Sequence, residues 1–120
     1  MAIAFVDSTT SAAVSTATTN TASITITDVT DMVVAYGAST SAAPTGITFN
    51  GVAMTSAVSD SATGVAIGMF YMLDADLPAA GTYTVEGTWA AGDQQASVGV
   101  AAYSGTKQQA PPATASTSRA

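Results

Sequence analysis

The chain has 120 residues and a net charge of −6, with 2 basic residues against 8 acidic ones. Its first 106 residues contain no lysine, arginine, histidine or cysteine, so Ser-His-Asp and Cys-His nucleophiles, zinc sites built on His or Cys, and disulfide scaffolds are excluded there. With so little Lys and Arg to neutralise phosphates, neither nucleic acid nor an anionic membrane is expected as a partner.

Taken in chain order, the opening Met1-Ala2-Ile3-Ala4-Phe5-Val6-Asp7 lacks the basic and long apolar regions of a signal peptide. Residues 8–21 are a Ser/Thr/Ala stretch and read as a loop or an irregular edge strand. In Ser23-Ile24-Thr25-Ile26-Thr27 the isoleucines share one face and the hydroxyls the other, the alternation of a half-buried strand. Residues 32–36 are rich in Val and Tyr and read as a further strand. Asn50-Gly51 between Ile47-Thr48-Phe49 and Val52-Ala53-Met54 predicts a hairpin with a type I′ turn, which needs positive φ at both central residues. Residues 60–64 read as a loop. Val65–Leu73 is apolar throughout except for Gly68, and predicts a central strand covered on both faces.

Residues 74–81 carry loop signals. Thr82-Tyr83-Thr84-Val85-Glu86-Gly87-Thr88-Trp89 alternates again, placing Tyr83, Val85 and Trp89 on one face and Glu86 on the other. Residues 90–94 turn, and residues 96–103 form a closing strand. No helical period appears. Seven or eight short strands at this spacing predict an all-β antiparallel sandwich over residues 1–106, jelly-roll-like or immunoglobulin-like. Residues 107–120, with Pro111-Pro112, predict an extended arm, and their full reach of about 45 Å is enough to cross to a neighbouring subunit.

Composition adds a second expectation. At this length one domain buries roughly two-thirds of its unfolded surface, without help from a metal or disulfide. Only 8% of the residues are charged, while 26 Ala, 20 Thr and 13 Ser make up nearly half the chain. A solitary soluble domain normally carries more charge than this. We therefore expect a subunit of a larger assembly, whose contacts include Lys107, Pro111, Pro112 and Arg119 in the arm and the tyrosines Tyr71 and Tyr103 on the domain.

Candidate chemistry is sparse. Asp74-Ala75-Asp76 offers two oxygen donors at i and i+2, as a calcium site would, but no further acidic ligand or glycine follows at EF-hand spacing. Aspartates there, and at Asp28 and Asp31, read as strand breakers and turn formers. Glu86 with Asp74 or Asp93 could supply a glycosidase acid and base, but Trp89 faces away from Glu86 and would not build the sugar platform beside it. Phosphate-binding glycine loops are missing. We expect no catalysis and no cofactor. Phe49, Phe70, Tyr83 and Trp89 read as core, with Tyr71 and Tyr103 as the surface exceptions.

Four stretches carry a family resemblance: Thr48-Phe49-Asn50-Gly51-Val52-Ala53-Met54-Thr55, Met69-Phe70-Tyr71-Met72-Leu73, Leu77-Pro78-Ala79-Ala80-Gly81-Thr82-Tyr83-Thr84-Val85 and Val98-Gly99-Val100-Ala101-Ala102-Tyr103-Ser104-Gly105. They resemble a β-sandwich module that recurs in tailed-phage particle proteins. The resemblance implies a sandwich fold and a place in a virion, and it transfers no functional residues. An acidic protein is repelled by packaged DNA, so the expected location is the outer surface of the capsid, as a decoration or cement protein. Its expected partners are the major capsid protein and itself, in a homotrimer or other closed oligomer. A tail or fibre module and a carbohydrate-binding adhesin module are the alternatives. Deleting residues 107–120 is expected to abolish assembly, read by sedimentation; unchanged assembly contradicts the role given to the arm.

Overall fold

The computed structural model describes residues 3–11, 14–15, 18–40, 42–62, 65–90, 95–106 and 108. Lys107, Pro111, Pro112 and Arg119, and with them the expected arm contacts, lie outside the described residues, as does Asp93. The strands in chain order are β1 (Ala4–Thr10), β2 (Val14–Ser15), β3 (Thr19–Ile26), β4 (Met32–Ser39), β5 (Gly46–Phe49), β6 (Val52–Ala53), β7 (Thr55–Ala62), β8 (Val65–Leu73), β9 (Gly81–Thr88) and β10 (Gln95–Ser104). A 3-10 turn, Asp74–Asp76, follows β8. The larger sheet runs β1-β10-β4-β8-β7, with β2 continuing the β1 side against β10, and the smaller runs β3-β9-β5-β6. All pairings are antiparallel. The fold is the expected all-β sandwich. Of the two forms anticipated, the order β1-β10-β4-β8 opposite β3-β9-β5-β6 is that of a jelly roll, two interlocked Greek keys.

Residue alternation builds the core. Ile24 and Ile26 of β3, Val33 and Ala35 of β4, Ile47 and Phe49 of β5, Phe70 and Met72 of β8, Val85 of β9, and Val98, Val100 and Ala102 of β10 form one buried cluster between the sheets. The β5–β6 hairpin turns through Asn50 and Gly51 at φ of 52° and 79°, and pairs Phe49 with Val52 as its sequence predicts. Buried Met54 then carries the chain from the smaller sheet into β7 of the larger. Tyr83 is half-buried against the cluster, and its hydroxyl donates to the Ala79 carbonyl at 2.7 Å, a tyrosine corner that fixes the entry to β9.

One end of the sandwich is filled differently. Trp89 is 2% exposed, and its indole lies over Gly87 while also reaching Gly37 in the opposite sheet. The Pro44 ring packs on Gly37 and on Gly68, which are register partners in β4 and β8. Glycine is required here because a Cβ at Gly37 would sit 2.7 Å from a Pro44 ring carbon and 3.1 Å from Trp89.

Three expectations are corrected. Of the two readings of residues 8–21, the loop is corrected and the irregular edge strand holds for their first part: β1 begins at Ala4 and runs to Thr10 at the sheet edge, β2 occupies Val14–Ser15 and β3 begins at Thr19. A bulge at Val6, between the Phe5 and Asp7 pairings, shifts the alternation and hides β1 from a period-two reading. Residues 60–62 belong to β7, where Asp60 pairs with Ile67, so the strand runs into the loop expected over 60–64. Finally, β8 is an internal strand, between β4 and β7, but the described residues cover only one of its faces. Ala66, Phe70 and Met72 are buried, whereas Ile67 and Met69 are each 37% exposed.

The free edge of β3 is also managed. After the bulge, Asp7 and Thr9 of β1 turn towards the smaller sheet. The Asp7 carboxylate accepts the Thr25 N–H at 3.1 Å, and the Thr9 hydroxyl donates to the Ser23 carbonyl at 2.7 Å. Two edge groups that would otherwise template another strand are thereby occupied. Between the sheets, buried Asn20 donates from Nδ2 to the Ala96 carbonyl at 3.0 Å. Gly37→Ala is expected to destabilise the fold by about 1–3 kcal/mol through overpacking. Gly46→Ala, where nothing lies within 4 Å of the new Cβ, should be neutral or slightly stabilising. Denaturant midpoints of the two variants check this, and equal midpoints would contradict it.

Candidate functional site

The register of the larger sheet places its outward side chains in rows. Phe5, Tyr103, Met32 and Leu73 form the first, and Ser8, Ala101, Val34, Tyr71 and Thr55 the second. Thr10, Gly99, Tyr36, Met69 and Val58 form the third; Ser97, Ala38, Ile67 and Asp60 the fourth. Across these four rows the sole charge is Asp60, on the outermost strand. An antiparallel sheet that faces water on one side normally reads polar there. This face instead presents aromatic, methionine and aliphatic side chains.

The outward face of the smaller sheet follows the usual pattern. Thr19, Thr21, Ser23 and Thr25 of β3 stand opposite Thr88, Glu86, Thr84 and Thr82 of β9. The Thr25 and Thr82 hydroxyls are hydrogen-bonded at 2.8 Å. The two outer faces of one sandwich are thus chemically opposite.

Within the apolar face lies a groove of about 320 Å³. Val34, Ala101 and the backbone of β10 floor it; Tyr36, Met69 and Tyr103 wall it, and Ser8 and Thr10 rim it. Gly99 shapes the wall. A Cβ there would meet the Tyr36 ring at 2.2 Å, so the bare backbone lets Tyr36 lie flat across β10. Beside the groove, the Phe5 ring packs edge-on against Tyr103, with centroids 6.2 Å apart and planes at 73°. Phe5 is 62% exposed and Ile3 66%.

Of the surface residues singled out from sequence, Tyr71 and Tyr103 both lie on this face, half-buried, in adjacent rows. Phe49, Phe70 and Trp89 are core and Tyr83 packs against it, as their alternation predicts. Sequence reasoning missed Tyr36, Phe5 and Met69 as members of the face. The available signal is that both phases of β4 and β8 are apolar; for β8 the sequence reading takes this as burial on both faces rather than as an exposed apolar layer.

Apart from Asp60 on this face and Asp7 on β1, the described carboxylates lie elsewhere. Asp28 and Asp31 sit at the turn between β3 and β4, Asp74 and Asp76 in the 3-10 turn, and Glu86 on the threonine face. Asp31 accepts the Gly105 N–H at 2.6 Å, while Gln108 donates to the Asp31 carbonyl and accepts from the Asp74 N–H. Asp31 and Gln108 therefore lock the end of β10 to this corner, a structural duty. Among the described residues, no three acidic side chains converge as a metal site would need. Glu86 stands opposite Thr21 and Thr48, with Trp89 on the other side of the sheet, so the sugar platform of a glycosidase is not formed there.

The chain matches no protein-family model, no curated protein and no solved structure with which it was compared. Its functional reading accordingly rests on the two sheet faces. Gly99→Ala is expected to swing the Tyr36 ring off β10 and open the groove wall while leaving the core intact. Loss of ring contacts between Tyr36 and β10 in proton NMR spectra checks this, and unchanged contacts would contradict it.

Proposed function

We propose that this chain is a non-enzymatic structural protein of a tailed-phage particle, acting as a capsid decoration, or cement, protein on the outer surface of the head. The observation that carries the reading is the division of its surface. One sheet face is apolar with a single charge, Asp60, the opposite face presents threonine and serine hydroxyls with Glu86, and Asp28, Asp31, Asp74 and Asp76 lie at the corner turns. Contiguous apolar patches of this kind mark interaction surfaces. The acidic remainder keeps the protein soluble and directs it away from DNA, towards the exterior of a shell. With neither His nor Cys in the chain, and Lys and Arg confined to residues 107–120, the domain offers shape and backbone contacts rather than covalent chemistry. Its partners in this reading are the major capsid protein and further copies of itself. The jelly roll agrees with it only by analogy, since that fold serves viral shells and lectins alike.

Mass spectrometry of purified particles with copy-number determination tests the proposal. A copy number comparable to that of the shell subunits is expected. A few copies per particle would move the protein to the tail or a fibre, and absence from particles would overturn the reading.

A second reading has its own observation. Tyr36 and Tyr103 flank a groove rimmed by the hydroxyls of Ser8 and Thr10, an arrangement of stacking faces and hydrogen-bonding groups suited to a saccharide. Binding on a glycan array that Tyr36→Ala abolishes would favour this adhesin role over the cement role.

A further inference from the structure

We infer that the apolar face of the larger sheet is a two-fold interface with a second copy of this chain, in which Phe5 of each copy enters the Tyr36–Met69–Tyr103 groove of the other. The inference rests on the proposed structural role and names the occupant of its surface.

Self-complementarity is the first argument. The same face carries a projecting aromatic, Phe5, and an apolar hole of about 320 Å³. Ser8, Thr9 and Thr10 line the hole, three to five residues along β1 from Phe5, so knob and hole are roughly 13 Å apart at strand spacing. Tyr103 borders the hole and packs against Phe5, so it lies between the two. Because both features occupy one face, seating the knob in the hole brings two such faces together. A two-fold axis near Tyr103 then satisfies both holes at once, the isologous arrangement in which residue i meets j and j meets i. A ring of three would need knob and hole on faces turned in different directions, so this geometry replaces the trimer expected from capsid symmetry.

Electrostatics is the second argument. Each copy carries a net charge of −6, so contact between most surface regions is repulsive. The apolar face contributes only Asp60, at the rim furthest from Phe5, with Asp31 and Asp74 just beyond its Met32–Leu73 end, so two copies meet there with few like charges in the contact itself. Size is the third. Five strands about 4.8 Å apart and about eight residues long give a face of roughly 600 Å² in projection. Contoured by its side chains, that approaches the roughly 800 Å² per partner of a stable interface.

Analytical ultracentrifugation of the full chain tests the inference, with Phe5→Asp and Met69→Asp as interface variants and Thr84→Asp, on the opposite face, as control. The wild type and T84D are expected to form dimers. F5D and M69D should raise the dissociation constant at least about thirtyfold while keeping the wild-type circular dichroism, and the wild-type thermal midpoint at concentrations low enough for all to be monomers, because both residues are partly exposed in the single chain. Added salt should tighten the dimer, since screening removes repulsion between like-charged bodies. A wild type that stays monomeric at high concentration, a trimer, or a dimer indifferent to F5D overturns the inference. A monomer whose binding to particles is lost in F5D also overturns it, and assigns the face to the shell instead. That result leaves the structural role standing, whereas a dimer absent from particles preserves the interface and removes the role.

Discussion

A β-strand has two faces, and a two-layer sandwich covers one of them. That constraint organises this molecule, because β4 and β8 are apolar in both phases. Val33, Ala35, Phe70 and Met72 enter the core, and the same two-residue period forces Val34, Tyr36, Met69 and Tyr71 outward. A one-residue slip in register would exchange the two sets without removing the problem. The apolar outer layer thus follows directly from strands whose sequences suit burial on both sides.

The core depends on close approach as well as on hydrophobic area. Where Trp89 and Pro44 fill the space between the sheets, Gly37, Gly68 and Gly87 clear room for them. On the outside, Gly99 does the same for Tyr36. Elsewhere the polar work falls to hydroxyls, amides and a few carboxylates. Asp7 and Thr9 occupy the edge of β3, Asn20 ties the sheets together, and Asp31 with Gln108 locks the end of β10. Among the described residues there is no lysine or arginine, so this framework is held without ion pairs between side chains. Surface ion pairs are worth little individually, and a domain can omit them at small cost in stability.

Local signals made most of the architecture legible from sequence. Asn50-Gly51 marked its hairpin because the turn geometry demands those residues. Ile24 and Ile26, and Tyr83, Val85 and Trp89, announced their inward faces by alternation. β1 was not legible because the Val6 bulge breaks its phase and Asp7 and Thr9 put polar groups inward. β7 was hidden because Ser56, Ser59 and Ser61 occupy its inward positions, on a strand beyond the reach of the narrower sheet. The groove could not be read locally at all. It depends on β10 lying between β1 and β4, which brings Gly99 beside Tyr36 from 63 positions away in the chain.

Methionine oxidation tests most directly the claim that this outer face exists to be covered. Met69 and Met72 lie three residues apart on β8, one 37% exposed on the outer face and the other 4% exposed in the core. Peroxide converts accessible methionine to its sulfoxide, and peptide mass spectrometry reads each site separately. In the dilute single chain, Met69 should oxidise readily and Met72 should resist. In the assembled state Met69 should become as resistant as Met72. Equal oxidation of Met69 in both states would show that the apolar face remains open to water, and would contradict the account.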